Sequence, residues 1–502
     1  MGYNHTTAAA DGDIYDMENM SGDEYPIARP RNARRLITKV EKPHGMCVYN
    51  ETYYAAGTGF YRLNEEAGVG ELLGSVTDTD KTFACIGAYI VILPDKAYYN
   101  RVENEFGSIE AEWSGTASFT DGTFAGEEAE ACRIVTTGTA FPFNVGDAIT
   151  ISGAANVENN QTIIIREISD DKKSLGFYEH SFTNAASQSL TLKREMPDLN
   201  FICENENRLW GCKDNTIYSS KLGDIFNWNV FDGLASDSYS VIVGSAGDFT
   251  GCISYLGYPI FFKEDRIYKV YGSKPSDYQV MSSSTIGVRK NCAKTLAVAG
   301  ETLFYLSPVG MMAYTGGIPE NISRVFGNAD FDSGTAGSDG IKYYATLREG
   351  EDNYTLFVYD TRIGAWYKED AFDGMEFARS SGIIALDSDG GFWRFNSDNP
   401  TERDIVSVLE FADFIEKSPN RKTSAKLIAR LELDVGSNVT FYISTDGGVI
   451  YKPFKTISSP KKDSYYLPIS VTRYDSYRIK IVGIGMWRLY SLTREYSEGS
   501  PN

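Results

Sequence analysis

The stretch "STDGGVIY", Ser444 to Tyr451, has the spacing Ser-x-Asp-x-Gly followed by an aromatic residue. In this Asp-box spacing a carboxylate accepts backbone N–H groups at a hairpin tip, glycine supplies a positive φ, and the aromatic packs behind. Its chemistry is that of a turn, not of a reaction. "LDSDGGFW", Leu386 to Trp393, is a looser version. Asp11–Asp13 ("DGD") and Asp387–Gly391 ("DSDGG") could offer oxygen ligands to calcium, but neither has the 12-residue loop ending in glutamate that an EF-hand needs. With 68 acidic residues, carboxylate pairs for glycoside hydrolysis are plentiful; that reaction needs two that converge across one bond, and the sequence singles out none. Trp228 and Trp366 could stack on sugars, yet each ends a strand-like run, where packing is the ordinary role.

The other familiar chemistries find no footing. GxSxG, Walker and Cys–His signatures are missing, and "GIGMWRLY" runs from strand into strand, which rules out a dinucleotide loop. The arginine group and Tyr–Glu pair of a sialidase site are not recognisable. Histidines His5, His44 and His180 lie far apart, so a histidine-rich metal site is not expected. Cys47, Cys85, Cys132, Cys203, Cys212, Cys252 and Cys292 are odd in number, scattered and never in a CxxC pair. They read as small core residues of a reduced protein. The expectation is a non-enzyme without cofactor or metal.

What must position these residues is mostly β. The 502 residues include 33 tyrosines, 27 phenylalanines and 47 glycines, and the length calls for several modules. From residue 41 aromatic-rich strands alternate with Gly, Asn or Asp turns: "MCVYNETYYAAGTGFYRL", "KTFACIGAYIVILPDKAYYN", "LNFICENENRLWGCKDNTIYSSKL", "GCISYLGYPIFFKEDRIYKVYG" and three more. The repeat of about 35 to 50 residues is that of a propeller blade. One such meander cannot bury both its faces; about six or seven stacked in a ring can. The fold class is therefore all-β: a β-propeller of about six or seven blades, with stacked β-sandwiches as the alternative. Residues 1–40 form an extended N-terminal arm, 41–107 the first blades and 196–400 the remaining ones. Residues 108–195 interrupt the repeat with short strands such as "VGDAITISG" and "QTIIIREI", read as an inserted small β-barrel or sandwich. Residues 401–502 read as a C-terminal β-sandwich of about seven strands. "DIVSVLEFADFIEK", residues 404–417, mixes helix and strand periods.

The formal charge of −20 disfavours a broad phosphate-binding surface and favours solubility. No apolar run reaches the roughly 20 residues that span a bilayer, and "MGYNHTTAAADGDIYD" is no signal peptide, so the chain is expected to fold in a cytoplasm. The arm contains "DMENMSGDEYPIARPRNARRL", Asp16 to Leu36, running from an acidic start through Pro26 and Pro30 into four arginines.

Four stretches together resemble the β-propeller virion proteins of tailed bacteriophages, which include the packaged-DNA stabilisation and tail-nozzle or tubular proteins of short-tailed phages. These are "DMENMSGDEYPIARPR", "RLWGCKDNTIYSSKLGDIFNW", "GYPIFFKEDRIYKVYG" and "YRIKIVGIGMWRLYSLTREYSEGS". The likeness spans most of the chain, the insert least. It implies a structural virion protein, part of a head–tail connector or tail-nozzle ring that retains and then conducts the packaged genome. The alternative is a tail host-recognition propeller that binds or cleaves glycans. It further implies a homo-oligomeric ring, portal, adaptor or tail proteins as partners, double-stranded DNA passing without sequence-specific binding, no membrane insertion, and a place at the tail or head–tail junction of a virion assembled in a bacterial cytoplasm. Under this resemblance the arm is a partner-docking segment in which Asp16, Glu18, Tyr25, Arg29, Arg31, Arg34 and Arg35 make the contacts. A strap lying on the chain's own propeller is the competing reading.

Overall fold

The structure is a computed structural model that describes residues 2–121, 131–178, 182–350, 353–416, 420–469 and 474–498. Among these residues the secondary structure is strand, joined by turns and four three-residue 3-10 turns, with no helix long enough to cross a membrane. The protein is all-β. Two compact units are formed by Met1–Ala56, Leu63–Gly70 and Val288–Asn502, and by Gly57–Arg62 and Glu71–Gly287.

Among the described residues seven four-stranded antiparallel sheets follow the repeat, six of them in chain order: residues 43–75, 82–108, 201–242, 251–283, 297–321 and 333–368, with 374–394 supplying three strands of the seventh. The last has three consecutive strands and takes its fourth, Arg35–Lys39, from the N-terminal arm. Each sheet is the meander expected of a propeller blade. The second strand of a meander is buried on both faces, so Tyr89–Leu93 reads "YIVIL", Tyr258–Lys263 "YPIFFK" and Thr302–Ser307 "TLFYLS", continuous apolar runs. The outer strands Val69–Ser75 and Gln279–Ser283 are largely exposed.

Adjacent meanders share cores. In one unit Val91, Leu93 and Tyr98 pack with Leu209, Ile225 and Trp228, and Trp210, Cys212 and Ile217 pack with Phe261, Tyr268 and Val270. In the other, Tyr344, Leu356 and Val358 meet Phe372, Phe377 and Ile383. The inserted segment is one seven-stranded sheet between Ala111 and Arg194 with a core of its own around Trp113, Phe141, Phe143 and Phe177.

The C-terminal module is a sandwich of a five-stranded and a three-stranded sheet. Trp487 is fully buried and its Nε1 donates across to Ser407 Oγ at 2.8 Å. The ambiguous segment 404–417 resolves as strand Val406–Phe411, its last residue lying outside the described set. That strand pairs with Ile14–Glu18, so the arm supplies one of the sandwich's eight strands.

Candidate functional site

The arm is built into the first unit. Ile14 and Met17 are buried where Ile14–Glu18 lies against Val406–Phe411. Asn19 turns the chain at φ 54°, donates from Nδ2 to the Val406 carbonyl at 2.9 Å, and accepts from Arg31 Nε at 2.8 Å. Met20–Ser21 then pairs with Arg29–Pro30. Ala28 and Leu489 exchange backbone hydrogen bonds of 3.2 and 2.9 Å.

Arg34, 2% exposed, is the centre of the site. Its Nη1 and Nη2 form a fork on Asp370 at 3.0 and 2.7 Å, and Nη2 also reaches Glu369 at 2.7 Å. The guanidinium lies over Phe372 and Phe395, 4.8 and 4.6 Å from their centroids. Arg31 donates to Glu402 at 2.7 Å and to Asp370 at 2.9 Å. Glu402 closes the group by accepting the Arg34 backbone N–H at 2.6 Å. Two cations thus face three carboxylates. Burial pushes the Asp370 carboxyl up, but the Arg34 and Arg31 guanidiniums overcome it and hold it below the usual range. Burial would lower Arg34, and Asp370 and Glu369 more than reverse it. Chemically this arrangement holds a strap: the Arg34 Nη atoms are turned on Asp370 and Glu369, while the buried Arg34 Nε makes no hydrogen bond.

The other expected docking residues divide. Asp16 accepts from Lys368 Nζ at 3.0 Å, and Arg29, also buried, donates to Glu24 at 2.9 Å. Arg35 is half-buried in its strand, opposite Arg394. Glu18 and Tyr25 are exposed, Tyr25 by 50%. Of the seven, the three arginines Arg29, Arg31 and Arg34 are therefore occupied within the chain, because a buried guanidinium is stable only beside a carboxylate that is already there. The sequence reading missed Glu369, Asp370 and Glu402. They stand more than 330 positions from the arginines, and no local pattern marks them.

The remaining candidates are structural. Asp446 Oδ1 accepts from Val449 and Ile450 N–H at 3.1 and 3.0 Å, and Gly447 and Gly448 have φ of 74° and 92°. Asp387 caps its own turn, accepting from Gly391 N–H at 2.6 Å and Trp393 Nε1 at 2.7 Å. Asp11 accepts from the backbone of Ile415 and Glu416, and Asp13 from Asn4 and Ala10. Trp228 and Trp366 are each 2% exposed, with indole N–H groups on the carbonyls of Ile225 and Ile322. Cys132, Cys212 and Cys292 are buried and the other four cysteines half-buried, all as free thiols. His5 stacks on Tyr3 and meets Tyr15 in a tilted contact; His180 lies outside the described residues. A cleft of about 690 Å³ beside His5 is lined by Tyr15, Arg324, Glu349 and Lys368.

No family model matches the chain, and no curated protein matches it. Among solved structures it is similar to the extracellular domain of a one-component system of B. thetaiotaomicron (10% identity, 95% of this chain and 82% of that one, TM-score 0.22). It is also similar to an exo-β-1,3-galactanase of Phanerochaete chrysosporium (8% identity, 92% and 100%, TM-score 0.23) and to a glycoside hydrolase (11%, 92% and 99%, TM-score 0.22). At these TM-scores the likenesses carry no weight for fold or function.

Proposed function

We propose that the chain is a non-catalytic structural subunit of a tailed-phage particle, part of a head–tail connector or tail-nozzle ring that retains and then conducts the packaged genome. In this reading the seven meanders are blades of a propeller. The observation that carries the proposal is the strap. The segment that resembles the virion family, "DMENMSGDEYPIARPR", supplies a sandwich strand, and the fork at Arg34 and strand Arg35–Lys39 that follow bind it to the meanders of the same unit. A part that must bear force during genome retention and release gains from such non-local fastening, since its modules cannot separate without breaking a buried charge group. The glycan alternative draws no support from Trp228 or Trp366, whose rings are packed inside the protein.

Electron microscopy of particles carrying a C-terminal tag tests the reading. Label is expected at the head–tail junction or tail tip. Purified particles without label refute it, as would cleavage of glycans by the purified protein.

A further inference from the structure

Cys203, Cys212 and Cys252 are scattered in the chain, yet the fold gathers them. Cys203 lies on strand Phe201–Asn205 and Cys212 on Arg208–Lys213 of one meander, Cys252 on Gly251–Tyr255 of the next. All three pack into the core those meanders share, with Trp210, Phe249 and Phe261. Two hydrogen bonds set the register of the facing strands. At one end the Phe249 N–H donates at 3.2 Å to the carbonyl of Asp214, in the turn after Arg208–Lys213. At the other, Ser254 Oγ donates to Asn205 Oδ1 at 2.7 Å. Phe201, which opens its strand, pairs with Cys212 beside that turn, so Phe201–Asn205 and Gly251–Tyr255 run the same way. With Asn205 level with Ser254, Cys203 stands level with Cys252. Side chains two positions apart leave a strand on the same face, so the two thiols point at each other as Asn205 and Ser254 do.

The thiols also sense one another. The neighbouring Cys252 thiol and burial push the Cys203 thiol up. Burial pushes Cys252 up as well; Cys203 opposes that and Cys212 adds to it. Cys203 and Cys252 are half-buried, whereas Cys212 is fully buried. A small reagent therefore has a way to the first two that it lacks to the third. Packing alone asks only for small apolar residues at these positions. Two thiols level with each other on adjacent strands meet a further demand, the converging Cβ vectors of a disulfide.

We infer that Cys203 and Cys252 form a reversible dithiol latch, which a small-molecule disulfide closes into a covalent bond between the two meanders. One cysteine attacks the oxidant's disulfide as a thiolate and expels one small thiolate, leaving a mixed disulfide. The second cysteine then attacks the protein sulfur of that bond and expels the other. The protein gives up two protons and two electrons, and the oxidant leaves as two thiols. In reducing surroundings the latch stays open and packing alone joins the meanders; in oxidising ones it closes. Both thiols are protonated at neutral pH, so closure is slow there and quickens as pH rises. The latch stands apart from the virion reading and does not depend on it.

Incubation of the full chain with excess glutathione disulfide at several pH values tests it, with the remaining thiols alkylated before tryptic digestion without reductant. Cleavage at Arg208, Lys213 and Lys221 leaves the three cysteines on separate peptides, so mass spectrometry reads the pairing directly. The expected product is the Cys203 peptide linked to the Cys252 peptide, forming about tenfold faster with each pH unit. Closure should raise the thermal midpoint by about 5 °C, and a reductant should restore it. Cys203→Ser should lose both the link and the rise, its reduced form melting with the reduced wild type, while Cys212→Ser should keep both. The wild-type map decides by itself if a variant folds poorly. A wild type that yields only glutathione adducts overturns the inference, and so does a link from Cys252 to Cys212 or a Cys203–Cys252 link that leaves the midpoint unchanged.

Discussion

Arg34 shows how much one buried cation organises. Its fork on Asp370, its bond to Glu369 and its position over Phe372 and Phe395 join the arm to residues more than 330 positions away. Removing one member of a buried pair leaves its partners charged and unsatisfied, so Arg34→Met should cost about 3–5 kcal/mol. Arg34→Lys keeps the charge but loses the fork, and should still cost about 1–2 kcal/mol. Thermal or urea unfolding monitored at tyrosine measures both. The pH dependence has a defined sign. Asp370 titrates below its ordinary value in the folded chain, so its stabilising contribution is complete above the unfolded value of about 3.9 and is lost as pH falls through the lower native value. Asp23 and Glu24, held low by Lys342 and by Arg488 with Arg29, act in the same direction. A melting temperature that drops below about pH 4 is expected, with a shallower acid limb in Asp370→Asn.

At the scale of elements, the loop between Thr216–Ser219 and Tyr239–Ile242 illustrates a different fastening. Arg208, the first residue of "RLWGCKDNTIYSS", is 2% exposed and donates to the carbonyls of Ser220, Ala235 and Asp237 at 2.9, 2.7 and 2.5 Å. Asp237 Oδ2 in turn accepts from Gly233 and Leu234 N–H, and Arg166 of the inserted sheet holds Asp232 at 2.6 Å. Phe231 and Leu234 remain exposed at the tip. Arg208→Ala should free this loop, costing about 2–3 kcal/mol and opening it to proteolysis near Phe231; limited digestion followed by mass spectrometry reads the new cut. Gly390 closes another turn at φ 86°, where an added Cβ would meet the Val40 carbonyl at 1.9 Å. Gly390→Ala should therefore loosen the pairing of Gly391–Arg394 with the arm strand Arg35–Lys39, visible as faster amide exchange in those two strands.

For the whole molecule, the arm turns an end of the chain into part of two sheets. A protein lacking residues 1–36 loses the outer strand on Val406–Phe411 and the start of the fourth strand of the last meander. The expected outcome is exposed sheet edges and aggregation, observable by light scattering. Failure of such a protein to join particles would then reflect folding, so Tyr25→Ala, at an exposed position of the strap, is the cleaner probe of docking. The charge of −20 gives a second expectation: at physiological salt the protein should not retard a DNA duplex in a gel.

Much of this was legible in the sequence. Strand and turn composition, the blade-length repeat and the Asp-box turn all rest on interactions between residues close in the chain, and such local preferences are written in the order of residues. The arm was not legible as strands, because "DMENMSGDEYPIARPR" has no period of its own and its start becomes β only against Val406–Phe411, as Arg35–Lys39 beyond it does only against Gly391–Arg394. The same holds for Arg31 and Arg34. From composition alone they suited an outside partner as well as an inside one. Tertiary structure decided, since Glu369, Asp370 and Glu402 come within reach only when distant segments pack, and a buried charge is settled by whatever lies beside it in space.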